Sequence, residues 1–348
     1  MILKKLLIFS ILTLLISSSI IAQGQSINEE YVLIGGIEQW ITIKGKDRSN
    51  PVVLFLHGGP GSPSSPYADA IFGEWEEDFI LVQWDQRGAG RTFGRNAPEA
   101  LNETYWIKNP LTVGQMTADG IEVSEYLLEH LGKHKIILTG TSWGSVLGAG
   151  MALRRPDIYY AYVGHSQLVS PADDFIHVYH KIYKTAQEKN DQESIKTLES
   201  VGPPPYDNAK NAGQLMRVIK KYERENSIPA PESWWKISPE YDNETDAQHR
   251  YDGDDYSFIN YVGHKDLGIK AMSSTFNLMK EGLDFKIPVY LIQGEEDILT
   301  PLEITKAYFD KISAPAKELF IIPGAAHEFN QSVVEMHYKI ISEKILPL

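Results

Sequence analysis

The chain has 348 residues, with 33 basic against 46 acidic side chains and a net charge of −13. Hydrophobic residues at 43% supply a large core, and the acidic surface excludes sequence-independent binding to a phosphate backbone. The absence of cysteine excludes disulfides, thiolate metal sites and a cysteine nucleophile.

The amino terminus differs from the rest. Lys4 and Lys5 precede an apolar stretch, Leu6 to Ala22, that no charge interrupts. It reads as a secretory signal peptide over residues 1–22, cleaved after Ala22 or shortly beyond, which implies export to the periplasm or the extracellular space. The competing reading is an uncleaved anchor, since the stretch lies at the lower edge of membrane-spanning length. Membrane contact is expected only if that segment is retained. No later run is long and apolar enough to span a bilayer.

From Tyr31 to Lys44 residues alternate around Gly35-Gly36, as in a hairpin. Short apolar runs follow at 51–56, 79–84, 135–139, 160–169, 288–293 and 318–322, each ending in a loop of small or polar residues. Runs without alternation suit strands buried on both faces of a mainly parallel sheet. Helical spacing marks 113–131, with Thr112 or Thr117 as cap, then 144–154 and 332–346. Strands alternating with helices predict an α/β fold with helices on both faces of the sheet. Residues 171–275 break the rhythm, with helical spacing at 175–189 and 212–225 and an acid-rich stretch at 240–255. They read as a helical cap inserted between a first part of the core, 23–170, and a second, 276–348. Asp252-Gly-Asp-Asp255 within the cap reads as a solvated loop, because its spacing does not match a calcium loop.

Gly140-Thr-Ser-Trp-Gly144 follows an apolar strand and opens a small-residue helix, the strand–turn–helix of a nucleophile elbow with Ser142 as nucleophile. A serine hydroxyl needs a base. In this arrangement the order is serine, acid, histidine, and His327 and His337 lie beyond the last strand-end acids. His327 follows a strand on a turn of small residues, whereas His337 falls inside the last helix in a surface or packing role. The acid that orients the imidazole is Asp297, with Glu296 as the alternative, since one residue of loop geometry decides between them. The developing oxyanion needs donors. The N–H of Trp143 follows the nucleophile, and Gly59 in His57-Gly-Gly-Pro-Gly61 is the better second donor because Pro60 has no N–H. Arg87, in Asp85-Gln-Arg-Gly88, is expected to hold loops together. The remaining histidines lack zinc-ligand spacing, so no metal is expected.

Together His57-Gly-Gly-Pro-Gly61, Asp85-Gln-Arg-Gly-Ala-Gly90, Gly140-Thr-Ser-Trp-Gly144, Gly294-Glu-Glu-Asp297 and Gly324-Ala-Ala-His327 resemble the proline iminopeptidase (prolyl aminopeptidase) branch of the α/β-hydrolases. The resemblance covers about 30–170 and 276–348. It implies an α/β-hydrolase fold, Ser142, Asp297 and His327 as triad, Gly59 and Trp143 as oxyanion donors, and release of an amino-terminal residue without a cofactor. It also implies cap glutamates that receive the substrate's free amine, commonly one following a tryptophan. This cap has no Trp-Glu dipeptide; Trp234-Trp235 lies between Ser233 and Lys236. Glu223, Glu225 and Glu232 are the candidates, each also readable as part of a solvated helix face.

The resulting expectation is an exported serine hydrolase, an aminopeptidase of the proline iminopeptidase type acting on a small peptide. The alternative is a carboxylesterase or amidase acting on another small molecule, since a fold and a triad do not decide substrate. A non-catalytic binding protein on the same scaffold is a third reading. It has no use for nucleophile, base, acid and oxyanion loop together.

Overall fold

The strand-forming runs are rich in β-branched and aromatic residues, and those in the interior of the sheet are buried along nearly their whole length. In the computed structural model, which describes residues 26–98 and 101–347, they form one sheet of eight strands among the described residues. These are β1 (Ser26–Ile34), β2 (Ile37–Lys44), β3 (Val52–Leu56), β4 (Ile80–Trp84), β5 (Ile136–Thr141), β6 (Tyr159–His165), β7 (Val289–Gly294) and β8 (Lys317–Ile322). Their order is β1-β2-β4-β3-β5-β6-β7-β8. The first two pair antiparallel, β2 runs antiparallel to β4, and all later neighbours are parallel. The proposed signal peptide lies outside the described residues. Among those described, no helix is long and apolar enough to cross a membrane.

Alternate side chains of β3 go to opposite layers. Val52, Leu54 and Leu56 pack with Val123 and Leu127 of the helix Val113–Leu131 and with Leu147 and Met151 of the helix Trp143–Arg154. Val53 and Phe55 pack with Phe72, Trp75 and the apolar face of the helix Gln331–Ile340. The helix Val113–Leu131 begins at Thr112, whose side chain accepts the Gln115 N–H, and stops at Gly132 in the left-handed region at φ 65°. Thr117 instead lies inside it. The chain therefore has the α/β-hydrolase fold, with its loops after β3, β5, β7 and β8 gathered at one edge of the sheet.

Two sequence expectations are corrected. The run at 160–169 is a strand only to His165, because Ser166 turns the chain at φ 49°. The acid-rich stretch is not a loop: Glu244–Val262 is a helix that carries Asp252, Asp254 and Asp255. Asn243 caps it by accepting the Asp246 N–H, and Tyr256, Ile259, Tyr261 and Val262 supply a buried face. Capping and burial outweigh the low helix propensity of Asp and Gly. Between β6 and β7 the chain also forms the helices Pro171–Glu188, Gln192–Val201 and Ala209–Asn226. They share a small core of their own, in which Leu299 from the loop after β7 takes part.

Candidate active site

Ser142 stands where β5 passes into the helix Trp143–Arg154, at φ 52° and ψ −119°. Such a conformation is rare for a residue with a side chain and stores strain. Its N–H is held by the His165 carbonyl at 3.0 Å. The turn is possible because its flanks are glycine. A Cβ on Gly140 would meet the Gly144 oxygen at 2.4 Å, and one on Gly144 would meet the Leu56 oxygen at 2.0 Å.

His327 Nε2 lies 2.9 Å from Ser142 Oγ, and His327 Nδ1 lies 3.1 and 3.2 Å from the two oxygens of Asp297. The triad order read from the sequence is thus brought together across three loops. Asp297 also accepts the Thr300 N–H at 2.8 Å and the Thr300 hydroxyl at 2.6 Å. Burial alone would raise the Asp297 carboxyl, yet His327 and Thr300 hold it below the usual range. Burial would lower His327, but Asp297 and then Glu223 raise it above its ordinary value. Glu296 is half-exposed beside this loop and its N–H goes to the Ala325 carbonyl, so Asp297 is the residue that meets the imidazole. His337 is fully buried, with its ring packed beside His165 and Phe329.

Gly59, at φ 110°, lines the space over Ser142. Trp143 opens its helix, so its N–H has no carbonyl a turn earlier to bond. The loop holding Gly59 is fixed from behind. His57 Nδ1 donates to the Gly58 carbonyl at 2.8 Å and its Nε2 accepts the Gln86 N–H at 3.2 Å, a neutral tautomer that burial enforces by lowering its pKa to about 4. Gln86 then joins three segments, donating to the His57 carbonyl and accepting from the Trp143 indole. Arg87 pairs with buried Asp119 at 2.7 Å and with the Gly35 carbonyl, and touches neither cavity at Ser142.

Two cavities meet at Ser142 and Gly59. The inner one, about 90 Å³, is walled by apolar side chains including Phe175, Leu215, Phe258 and Tyr261. The outer one, about 330 Å³, is bounded by Tyr67, Trp234, Trp235, Lys220, Glu328 and Phe329. Lys220 and Glu328 pair with each other at 3.2 Å.

The three cap carboxylates singled out in the sequence do not line the cavities at Ser142. Glu225 is exposed and pairs with Lys189 at 3.0 Å; Glu232 is exposed in a single turn, Glu232–Trp235. Neither lines the cavities at Ser142. Glu223 is buried, and its Oε1 accepts the N–H groups of Ile298 and Leu299 at 2.8 and 3.1 Å. It braces the loop of Asp297, and burial pushes its carboxyl up to about 7. Thr300 was not singled out in the sequence. The signal was there in Asp297-Ile-Leu-Thr300, the spacing at which an Asp side chain receives a nearby backbone N–H.

A family model described as the alpha/beta hydrolase fold matches residues 51–330. The chain belongs to the α/β-hydrolase family. It is 29% identical over 300 residues to a protein named probable aminopeptidase YbaC from Bacillus subtilis, covering 84% of this chain and 88% of that one. A proline iminopeptidase from Clostridium botulinum is 25% identical over 298 residues, covering 84% and 90%. Among solved structures, VinJ superposes with a TM-score of 0.65 at 19% identity over 93% of this chain and 100% of that one. A proline iminopeptidase from Mycobacterium smegmatis gives 0.59 at 20% identity over 86% and 91%. The two structures speak for the fold. The named relatives meet the likeness to the proline iminopeptidase branch that the motifs carry, and mark this α/β-hydrolase as a hydrolytic enzyme.

Proposed function

We propose that the protein is a serine hydrolase of the aminopeptidase type, which releases the amino-terminal residue of a small peptide through an acyl-enzyme on Ser142. The observation that carries the reading is the continuous hydrogen-bonded line from Ser142 Oγ through His327 to Asp297. Ser142 Oγ attacks the carbonyl carbon while His327 Nε2 takes its proton, and the imidazolium is stabilised by Asp297. The N–H groups of Gly59 and Trp143 receive the oxyanion. His327 returns the proton to the departing amine, and a water activated by the same imidazole frees the acyl group. The names of the relatives support the peptidase assignment. The segment Lys4 to Ala22 supports export.

The second reading, a carboxylesterase or amidase acting on a small non-peptide substrate, is favoured by one observation. Among the described residues, neither cavity at Ser142 has an unpaired carboxylate to receive an ammonium group, since Glu328 in the outer one is paired with Lys220. The test is a panel of prolyl and alanyl naphthylamides, their N-blocked forms and short-chain nitrophenyl esters, with Ser142→Ala as blank. Turnover of only the free-amine amides is expected. Ester turnover without amide turnover transfers the assignment to the second reading.

A further inference from the structure

The outer cavity continues past Lys220, Trp235, Glu328 and Phe329 into a third space of about 290 Å³, which the same four residues line. Two cations stand along this path. Lys220 is the one lysine or arginine lining the outer cavity among the described residues, and it borders the third space as well. Arg224 lines the third space one helical turn further along Ala209–Asn226. Among the described residues, its guanidinium has no hydrogen bond or ion pair. The Lys220 ammonium is held by Glu328 at 3.2 Å, with both side chains about half exposed. An ion pair so open to water is weak and exchanges readily for another partner.

We infer that Lys220 and Arg224 form a subsite for the free carboxylate at the far end of the peptide, which makes short unblocked peptides the substrates. The inference rests on the aminopeptidase reading above and names the leaving group. Ser142 borders both the inner and the outer cavity. The inner one, about 90 Å³ with apolar and aromatic walls, suits the single acyl residue. A carboxylate has no counter-charge there, and the negative faces of the rings repel it. The rest of the peptide therefore lies in the larger outer cavity, towards Lys220. Helical rise separates Lys220 from Arg224 by about 6 Å, a little under two extended residues. Lengthening the peptide moves its carboxylate from the first cation towards the second.

The carboxylates along this path are Glu328 and Glu223. Glu223 is engaged by the N–H groups of Ile298 and Leu299 and by the charge of His327, so it does not neutralise Arg224 through an ion pair. The molecule as a whole works against an anionic ligand. A net charge of −13 repels it, so without local cations a free peptide would be a poorer substrate than its own carboxyl-terminal amide. The sign of that preference is therefore diagnostic.

The experiment follows release of the first residue from a dipeptide, a tripeptide and the carboxyl-terminal amide of each. The peptides begin with proline or alanine, whichever the naphthylamide panel favours, and continue with alanine. The full chain is compared with Lys220→Met, Arg224→Met and the double variant. The quantity read is the ratio of kcat/KM for each free acid to that for its amide, from which any general loss of activity cancels. The unmodified enzyme is expected to favour the acids by about fivefold, and less as salt is added. Lys220→Met is expected to bring the ratio to one or below. Arg224→Met is expected to lower it more for the tripeptide than for the dipeptide.

A ratio of one or less in the unmodified enzyme, or a ratio that the double variant leaves unchanged, would overturn the inference. So would turnover of a free-amine naphthylamide by an enzyme that cleaves none of the four peptides. Turnover of neither naphthylamide by the full chain would instead overturn the aminopeptidase reading on which the subsite rests.

Discussion

The Glu223 carboxylate accepts the backbone N–H of Ile298 at 2.8 Å, tying the helix Ala209–Asn226 to the loop that carries Asp297. Because Glu223 also raises His327, the contact has an electrostatic consequence as well as a mechanical one. Glu223→Gln keeps an oxygen for the two N–H groups and removes the charge. The acidic limb of kcat/KM is expected to move to lower pH, with the plateau rate little changed. Glu223→Ala leaves two buried donors unpaired at a cost of about 1–3 kcal/mol each and is expected to lower both kcat and the thermal midpoint. Identical pH limbs in Glu223→Gln and the wild type would rule out this role.

His337 is fully buried and burial lowers its pKa to about 3, against an ordinary 6.5. Between those values the unfolded chain binds a proton that the folded chain refuses. Stability is therefore expected to fall as pH drops below 6.5, by about 1.4 kcal/mol per unit from this group. Buried His165, also lowered by burial, acts in the same direction. Denaturant unfolding at pH 7 and pH 5 checks this. Relative to the wild type, His337→Gln is expected to lose about 2 kcal/mol less between the two conditions.

Gly144→Ala would place a methyl group 2.0 Å from the Leu56 carbonyl oxygen, backbone against backbone. Neither segment has a flexible end to give way, so the loop of His57–Gly59 must separate from the elbow. The expected result is loss of activity with a destabilised or insoluble chain. Gly114→Ala meets no atom within 4 Å and serves as the control that retains both.

The strands, the helix Val113–Leu131 and the elbow at Ser142 were legible because local chemistry dictates them: buried runs, a Thr cap, glycines that only a tight turn requires. His327 was legible because a histidine on a small-residue turn after a strand has few other uses. Asp297 against Glu296 was not, since adjacent residues point to opposite sides and the outcome depends on Thr300 folding back onto the carboxylate. The cap was the least legible part. Its acids follow no local rule, so Glu223 turned inward against Ile298 while Glu225 and Glu232 stayed in solvent. Asp252 to Asp255 became helical because Asn243 and the buried face of Tyr256 and Ile259 outweigh four poor helix formers.

The most direct test of the account is covalent labelling of the full chain by a fluorophosphonate, with the modified residue located by peptide mass spectrometry and the rate followed against pH. Labelling of Ser142 alone is expected, rising with pH through a His327 pKa above 6.5 and absent from Ser142→Ala. It is expected to be slowed by orders of magnitude in His327→Ala, which removes the base. A chain that is not labelled, or is labelled equally well without Ser142 or His327, would contradict the assignment of a serine nucleophile activated by that histidine.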